Sequence, residues 1–364
     1  MKRVLYIGWI GYKNLGDELM FDLFKEQFKK LDNSYKLDSA NIEYKYLKNV
    51  SIQDYDLIVL GGGSLLGSVE NFIHPFIISY LYQCILLNKK VMIWGTGIDW
   101  VPKSLIEPLE NNEKIPVHTS PELKRMIDSV FEESVWSGVR GPLTQKILKL
   151  YGIEKCHISG DPGFLLDRSQ LSRPKNIQLA EEEKRIIGVN WGTSYNHIYG
   201  QDELKVEDNL AKALNQLIKQ GYHIYLYTVW EADIPAMNKL YSKLSDQSKV
   251  TLDRTLYNHN ELLSLMENFY FTINLKLHAN YLSLAANVPF IALGYRFKVF
   301  DFVKSVGLED YIISTDAQNI DENILNLESQ ILNNQAELKT MMDETLKNYR
   351  NRILEPFKNG LYLE

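Results

Sequence analysis

The chain has 364 residues, 45% of them hydrophobic and 24% charged, with a formal net charge of −6. That length accommodates about two domains and an ample core, and the acidic balance argues against a nucleic-acid surface, which carries a basic stripe. The cysteines, Cys84 and Cys156, show no CxxC spacing, so neither zinc nor a disulfide framework is indicated and a reduced, cytoplasmic setting fits.

Residues 1–8 are too soon interrupted to read as a signal peptide. The longest apolar stretch, 76–87, contains Ser79 and Gln83 and falls short of the ~20 residues a membrane span needs. It reads as a buried helix. Strands are predicted at 4–7, 57–60, 91–94, 135–139 and 157–159, then at 186–190, 223–227, 250–252, 271–274 and 290–293. Short apolar runs without strict alternation suit strands buried on both faces, hence parallel sheets covered by helices. Between them lie amphipathic segments such as 18–30, where Met20, Phe24 and Phe28 share a face.

The polar stretch from 167, containing Pro174, reads as a linker narrowing to 173–184. The expected organisation is an N-terminal Rossmann-like domain (1–172) and a C-terminal one (185–335). A helical segment, 336–364, is expected to pack back on the first. The fold class is α/β, two Rossmann-like domains whose parallel sheets face each other across a cleft. Glycines recur at the strand ends, among them Gly8, Gly11, Gly16, Gly61, Gly62, Gly63, Gly95 and Gly192. There backbone amides can approach an anion closely. Neither GxGxxG nor GxxxxGK[ST] occurs, which argues against a dinucleotide oxidoreductase and a P-loop ATPase.

Residues 272–280 carry the most chemistry. Were the strand to continue through them, Asn274, Lys276 and His278 would point to one side. A lysine at the end of a buried strand must meet a negative partner or reach solvent. The apolar helix expected from 279 would add free amides and a positive dipole end. Together these make a site for a small phosphorylated anion; the competing role for His278 is a hydrogen-bonded core histidine. Arg140, at another strand end, suits two-pronged capture of carboxylate or phosphate, with a surface salt bridge as its alternative. Residues 295–298 (YRFK) add Lys298 as a further cation, with an exposed loop as the blander reading. Asp17 and Glu18 open the first helix, either complementing its dipole or, with Asn14, binding sugar hydroxyls. Trp9, Trp94, Trp191 and Trp230 fall at or just after strand ends, as an aromatic rim for saccharides would. Core packing competes for at least half of them. Trp94 and Trp191 are taken as saccharide-binding. No ligand cluster calls for a metal.

At these residues the chain resembles the polysaccharide pyruvyl transferase family. The matching segments, in family order, are 11–18 (GYKNLGDE), 56–63 (DLIVLGGG), 139–140 (VR), 148–152 (LKLYG), 160–162 (GDP), 275–279 (LKLHA) and 288–298 (VPFIALGYRFK). The resemblance implies a GT-B-like fold, with the acceptor on the side of 1–172, phosphoenolpyruvate as donor substrate on the side of 185–335, and no further cofactor. It also implies a cytoplasmic saccharide acceptor, often lipid-linked, reached without a transmembrane segment but with peripheral membrane contact allowed. Carried to matching positions, it makes His278 the acid/base residue and Arg140, Lys276 and Lys298 donor-binding cations. Two positions depart from the pattern: Lys276 stands where the family usually has arginine, and Gly141 where it usually has an acid. The rivals are a GT-B glycosyltransferase using a nucleotide sugar and a non-catalytic glycan-binding homologue.

Overall fold

A computed structural model describes residues 1–12, 14–31, 34–67, 72–170 and 185–363, and the apolar runs within them become two parallel six-stranded sheets. The first comprises β1 (Lys2–Gly8), β2 (Tyr35–Asn41), β3 (Leu57–Leu60), β4 (Lys90–Thr96), β5 (Trp136–Val139) and β6 (His157–Ile158). Their order is β2-β1-β3-β4-β5-β6. The second comprises β7 (Ile186–Asn190), β8 (His223–Tyr227), β9 (Val250–Leu252), β10 (Phe271–Asn274), β11 (Phe290–Gly294) and β12 (Ile312–Ser314), ordered β12-β11-β10-β7-β8-β9. Every residue of β3 and of β10 is buried, as expected of inner strands covered on both faces.

Two strands escape the apolar-run criterion, and both are edges. β2 reads YKLDSAN and is at best half-buried throughout, because an edge strand with one open side needs few apolar residues. β12 has three residues.

The chain divides into two compact units: Met1–Leu165 with Asn348–Glu364, and Leu166–Lys347. The second crossing falls inside the long helix Ile320–Ile353. In the first unit the returning segment packs on the sheet through Phe357, whose ring lies 5.1 Å from Phe24 and 5.7 Å from Trp94. The linker expected over 173–184 lies outside the described residues. Among those described, no helix is long and apolar enough to cross a membrane; residues 75–86 form a helix that buries Ile77, Ile78, Tyr80, Leu81, Cys84 and Ile85.

In each sheet the strand order reverses direction once, between β1 and β3 and between β10 and β7. Loops leaving the carboxyl ends of strands on either side of such a reversal diverge and leave a crevice, where ligands of open α/β sheets bind.

Candidate functional site

In the second unit the reversal point is built from β7, β8 and β10. Asn190 closes β7 fully buried, and its carbonyl accepts the Leu275 amide at 2.9 Å. Its side-chain Oδ1 accepts the Lys276 amide at 3.1 Å. β10 therefore ends at Asn274, and Lys276 (φ −73°, ψ 137°) becomes the N-cap of the helix Leu277–Ala285. The expected strand alternation through 274–278 stops there. His278 lies inside the first helical turn rather than before it, half-buried, with its ring centroid 6.1 Å from that of Tyr281.

The Lys276 ammonium turns inward. Nζ donates to the Thr193 carbonyl at 2.5 Å, lies 3.1 Å from Asp233 Oδ1, and sits 4.9 Å from the Trp230 ring centroid. Asp233 is the negative partner that a lysine at this strand end required. Its side chain has no exposed surface. Burial raises its pKa above the ordinary carboxylate range, while Lys276 and the Thr193 amide pull it back down. Asp233 Oδ1 also accepts the Thr193 amide at 3.0 Å. Gly192 is obligatory beside it, since a Cβ there would come within 2.1 Å of that oxygen. Glu203 fixes the rest of the loop, accepting the Ser194 and Asn196 amides at 2.5 and 3.0 Å and the Thr193 hydroxyl at 2.8 Å.

One strand along, β11 leads into the helix Phe297–Val306, whose N-cap is Arg296. The Arg296 guanidinium and the Lys298 ammonium lie 5.1 and 5.3 Å from the Tyr295 ring centroid. Neighbouring strands thus deliver two helix N-termini that are capped by cations and hold no carboxylate in their first turns. A helix N-terminus ordinarily takes Ser, Thr, Asp or Asn and favours negative charge. Placing Lys276, Arg296 and Lys298 there works against the dipole and brings three basic side chains to one edge of the sheet.

The first unit shows the opposite pattern. Asn14 caps the helix Leu15–Phe28, accepting the Gly16 amide at 3.1 Å. Glu18 Oε1 folds back to accept the Gly11 and Tyr12 amides at 2.6 and 3.0 Å. Asp17 lies half-buried in the same first turn. Asn14 and Glu18 have local partners that hold the loop after β1. Trp9 and Tyr12, 37% and 43% exposed with ring centroids 5.6 Å apart, are what that loop presents outward.

Three expected site residues are enclosed. Arg140 has no exposed surface; its guanidinium donates to the Ser64 hydroxyl at 3.2 Å and the Ile98 carbonyl at 2.7 Å. It packs against Gly97, where a Cβ would come within 2.7 Å of Nη2. Trp94, fully buried, donates to the Ile353 carbonyl, and Trp191, 1% exposed, donates to Glu207 Oε2, both at 3.0 Å. Neither indole leaves a face for a sugar; both are core residues anchored by one polar bond. Trp230 is half-buried. It meets the exposed Tyr195 edge-on, ring centroids 6.0 Å apart, and forms the aromatic wall beside Lys276. Asp233 and Thr193 escaped the sequence reading because nothing local marks them. The available signal was indirect, a buried lysine demanding a counter-charge.

Two Rossmann-like domains of this kind define a GT-B-like enzyme architecture, and the solved structures that share the fold include the following three. The S. aureus MnaA–UDP co-structure gives a TM-score of 0.62 at 13% identity, covering 100% of this chain and 98% of that one. The UDP-GlcNAc 2-epimerase of Neisseria meningitidis bound to UDP-GlcNAc gives 0.55 at 11%, covering 98% and 100%. A glycotransferase of kitacinnamycin gives 0.55 at 9%, covering 100% and 99%. No curated protein matches the chain in sequence. Residues 14–296 match the model of the polysaccharide pyruvyl transferase family, and the chain belongs to that family.

Proposed function

We propose that the protein transfers the pyruvyl group of phosphoenolpyruvate to a saccharide of a cell-surface glycan or its lipid-linked precursor, forming a ketal and releasing phosphate. The observation that carries this reading is the pair of cation-capped helix N-termini at the carboxyl ends of β10 and β11, in a chain of this family. Helix N-termini flanked by basic side chains suit a donor that bears both carboxylate and phosphate. Lys276, Arg296 and Lys298 would balance that charge and stabilise the departing phosphate. The His278 imidazolium would give its proton to the methylene carbon while a sugar hydroxyl attacks the central carbon, and would recover a proton from that hydroxyl. A second hydroxyl then displaces phosphate and closes the ring, its proton leaving on the phosphate. Trp230 and Tyr195 replace Trp94 and Trp191 as the aromatic surface available to a sugar. Arg140, enclosed in the first unit, shapes its edge rather than touching the donor.

The fold likeness to UDP-bound and UDP-GlcNAc-bound structures supports a second reading more directly, that of an enzyme acting on a nucleotide sugar. The anion at the same helix N-termini would then be a diphosphate. Thermal shift separates the two, because a ligand at about 100 times its Kd stabilises by about 2.7 kcal/mol. Stabilisation by phosphoenolpyruvate, with phosphate released in the presence of a saccharide, supports pyruvyl transfer. Stabilisation by UDP or a UDP-sugar alone transfers the assignment to the second reading. Phosphate release also excludes a glycan-binding protein without chemistry.

A further inference from the structure

Asp233 is buried with half its accepting capacity unmet: Oδ1 serves Lys276 and Thr193, while Oδ2 has no hydrogen-bond partner among the described residues. Through Oδ1 alone it joins the carboxyl ends of three neighbouring strands, since it follows β8, Thr193 follows β7 and Lys276 follows β10. As a stabilising device the arrangement is poor, because a buried ion pair gains little over apolar packing and an unpaired carboxylate oxygen costs free energy. Lysine has three N–H donors. Two are directed at Asp233 and the Thr193 carbonyl, which leaves one for a ligand. Lys276 keeps 14% of its side chain exposed, so the residue is not sealed from solvent.

We propose that Asp233 is an internal competitor for Lys276, a positioning residue that holds the ammonium in one place and limits how tightly the site retains an anion. The inference rests on the reading of this edge as the donor site. An arriving phosphate or carboxylate shares an ammonium already half-neutralised, and departing phosphate leaves a lysine whose internal partner remains in contact. Without the carboxylate charge the ammonium would address the ligand alone, and product would leave slowly.

Asp233→Asn tests this, since the amide oxygen still accepts from Thr193 and Lys276 while the charge is gone. In the full chain, Kd for inorganic phosphate, phosphoenolpyruvate and UDP would be measured in wild type, Asp233→Asn, Lys276→Met and the double variant. kcat and donor KM would be measured alongside. We expect Asp233→Asn to bind phosphate and the productive donor at least fivefold more tightly, with donor KM and kcat both lowered. In the Lys276→Met background the same change should shift Kd less than twofold. Asp233→Ser, smaller and uncharged, repeats the test should the amide fold poorly. Weaker or unchanged anion binding in Asp233→Asn, or an equal effect in both backgrounds, overturns the proposal and leaves the pyruvyl reading standing. Coupling seen with UDP and phosphate but not with phosphoenolpyruvate keeps Asp233 and removes pyruvyl transfer. A wild type that binds none of the three removes both.

Discussion

The indole N–H of Trp94 donates to the carbonyl of Ile353 at 3.0 Å, across 259 positions of sequence. This bond pins the end of the long helix Ile320–Ile353 to β4, and edge-on contacts with Phe24 and Phe357 complete the enclosure. Trp94→Phe should leave the Ile353 carbonyl without its donor and cost about 1–3 kcal/mol; Trp94→Ala should cost about 3–5 kcal/mol through the cavity as well. Urea denaturation measures both. The folded fraction should keep the wild-type acceptor KM, and a selective rise in that constant would return Trp94 to the acceptor site.

For Arg140 the structure and the family resemblance lead to different measurements. Arg140→Ala removes the donor to the Ile98 carbonyl and the Ser64 hydroxyl, and the buried Ile98 carbonyl left unmet should cost about 1–3 kcal/mol. The expected result is a lower denaturation midpoint with donor KM within a few-fold of wild type. Unchanged stability with a steep rise in donor KM would show instead that the guanidinium reaches the anion.

His278→Ala should lower turnover by roughly 10²–10⁴-fold if the imidazole handles a proton. The half-buried ring sits in the first turn of Leu277–Ala285, so melting temperature should change little. Phosphate release assays on the purified variant decide it. Turnover within a few-fold of wild type would leave His278 as a packing residue beside Tyr281.

Asp233 predicts a pH dependence of stability with a definite sign. Its folded pKa lies above the ordinary carboxylate value because it is buried, so the folded chain holds this proton more tightly than the unfolded chain. Its contribution is therefore fully present below about pH 3.9, the ordinary aspartate value, and is lost as pH rises through the raised folded pKa. Compared with Asp233→Asn, wild type should lose stability across that window. In Lys276→Met, which removes the opposing cation, the window should extend to higher pH. Denaturation midpoints from pH 3.5 to 7.5, chosen to bracket this range, give the comparison. A difference between wild type and Asp233→Asn that is flat with pH would place the Asp233 proton outside this range.

Sequence alone determined the layered plan. Inner parallel strands are buried on both faces and so write themselves as uninterrupted apolar runs, as Leu57–Leu60 and Phe271–Asn274 do. The glycines at their ends and the ordered family segments marked the candidate edge, and the rule against unpaired buried charge made Lys276 require an acid. Which acid it would be lay beyond reach, because Asp233 meets Lys276 only once β8, β7 and β10 lie side by side. The tryptophans show the same limit. Trp94 and Trp230 both lie at or just after expected strand ends, yet one faces the core and the other walls the lysine, since burial depends on what the rest of the chain packs over each ring. The edge strand β2 was illegible for the converse reason, that one open side relaxes its composition. The register of strands and the start of the helix at Leu277 set where Lys276, His278 and Arg140 point. Those are outcomes of long-range pairing, which no local pattern encodes.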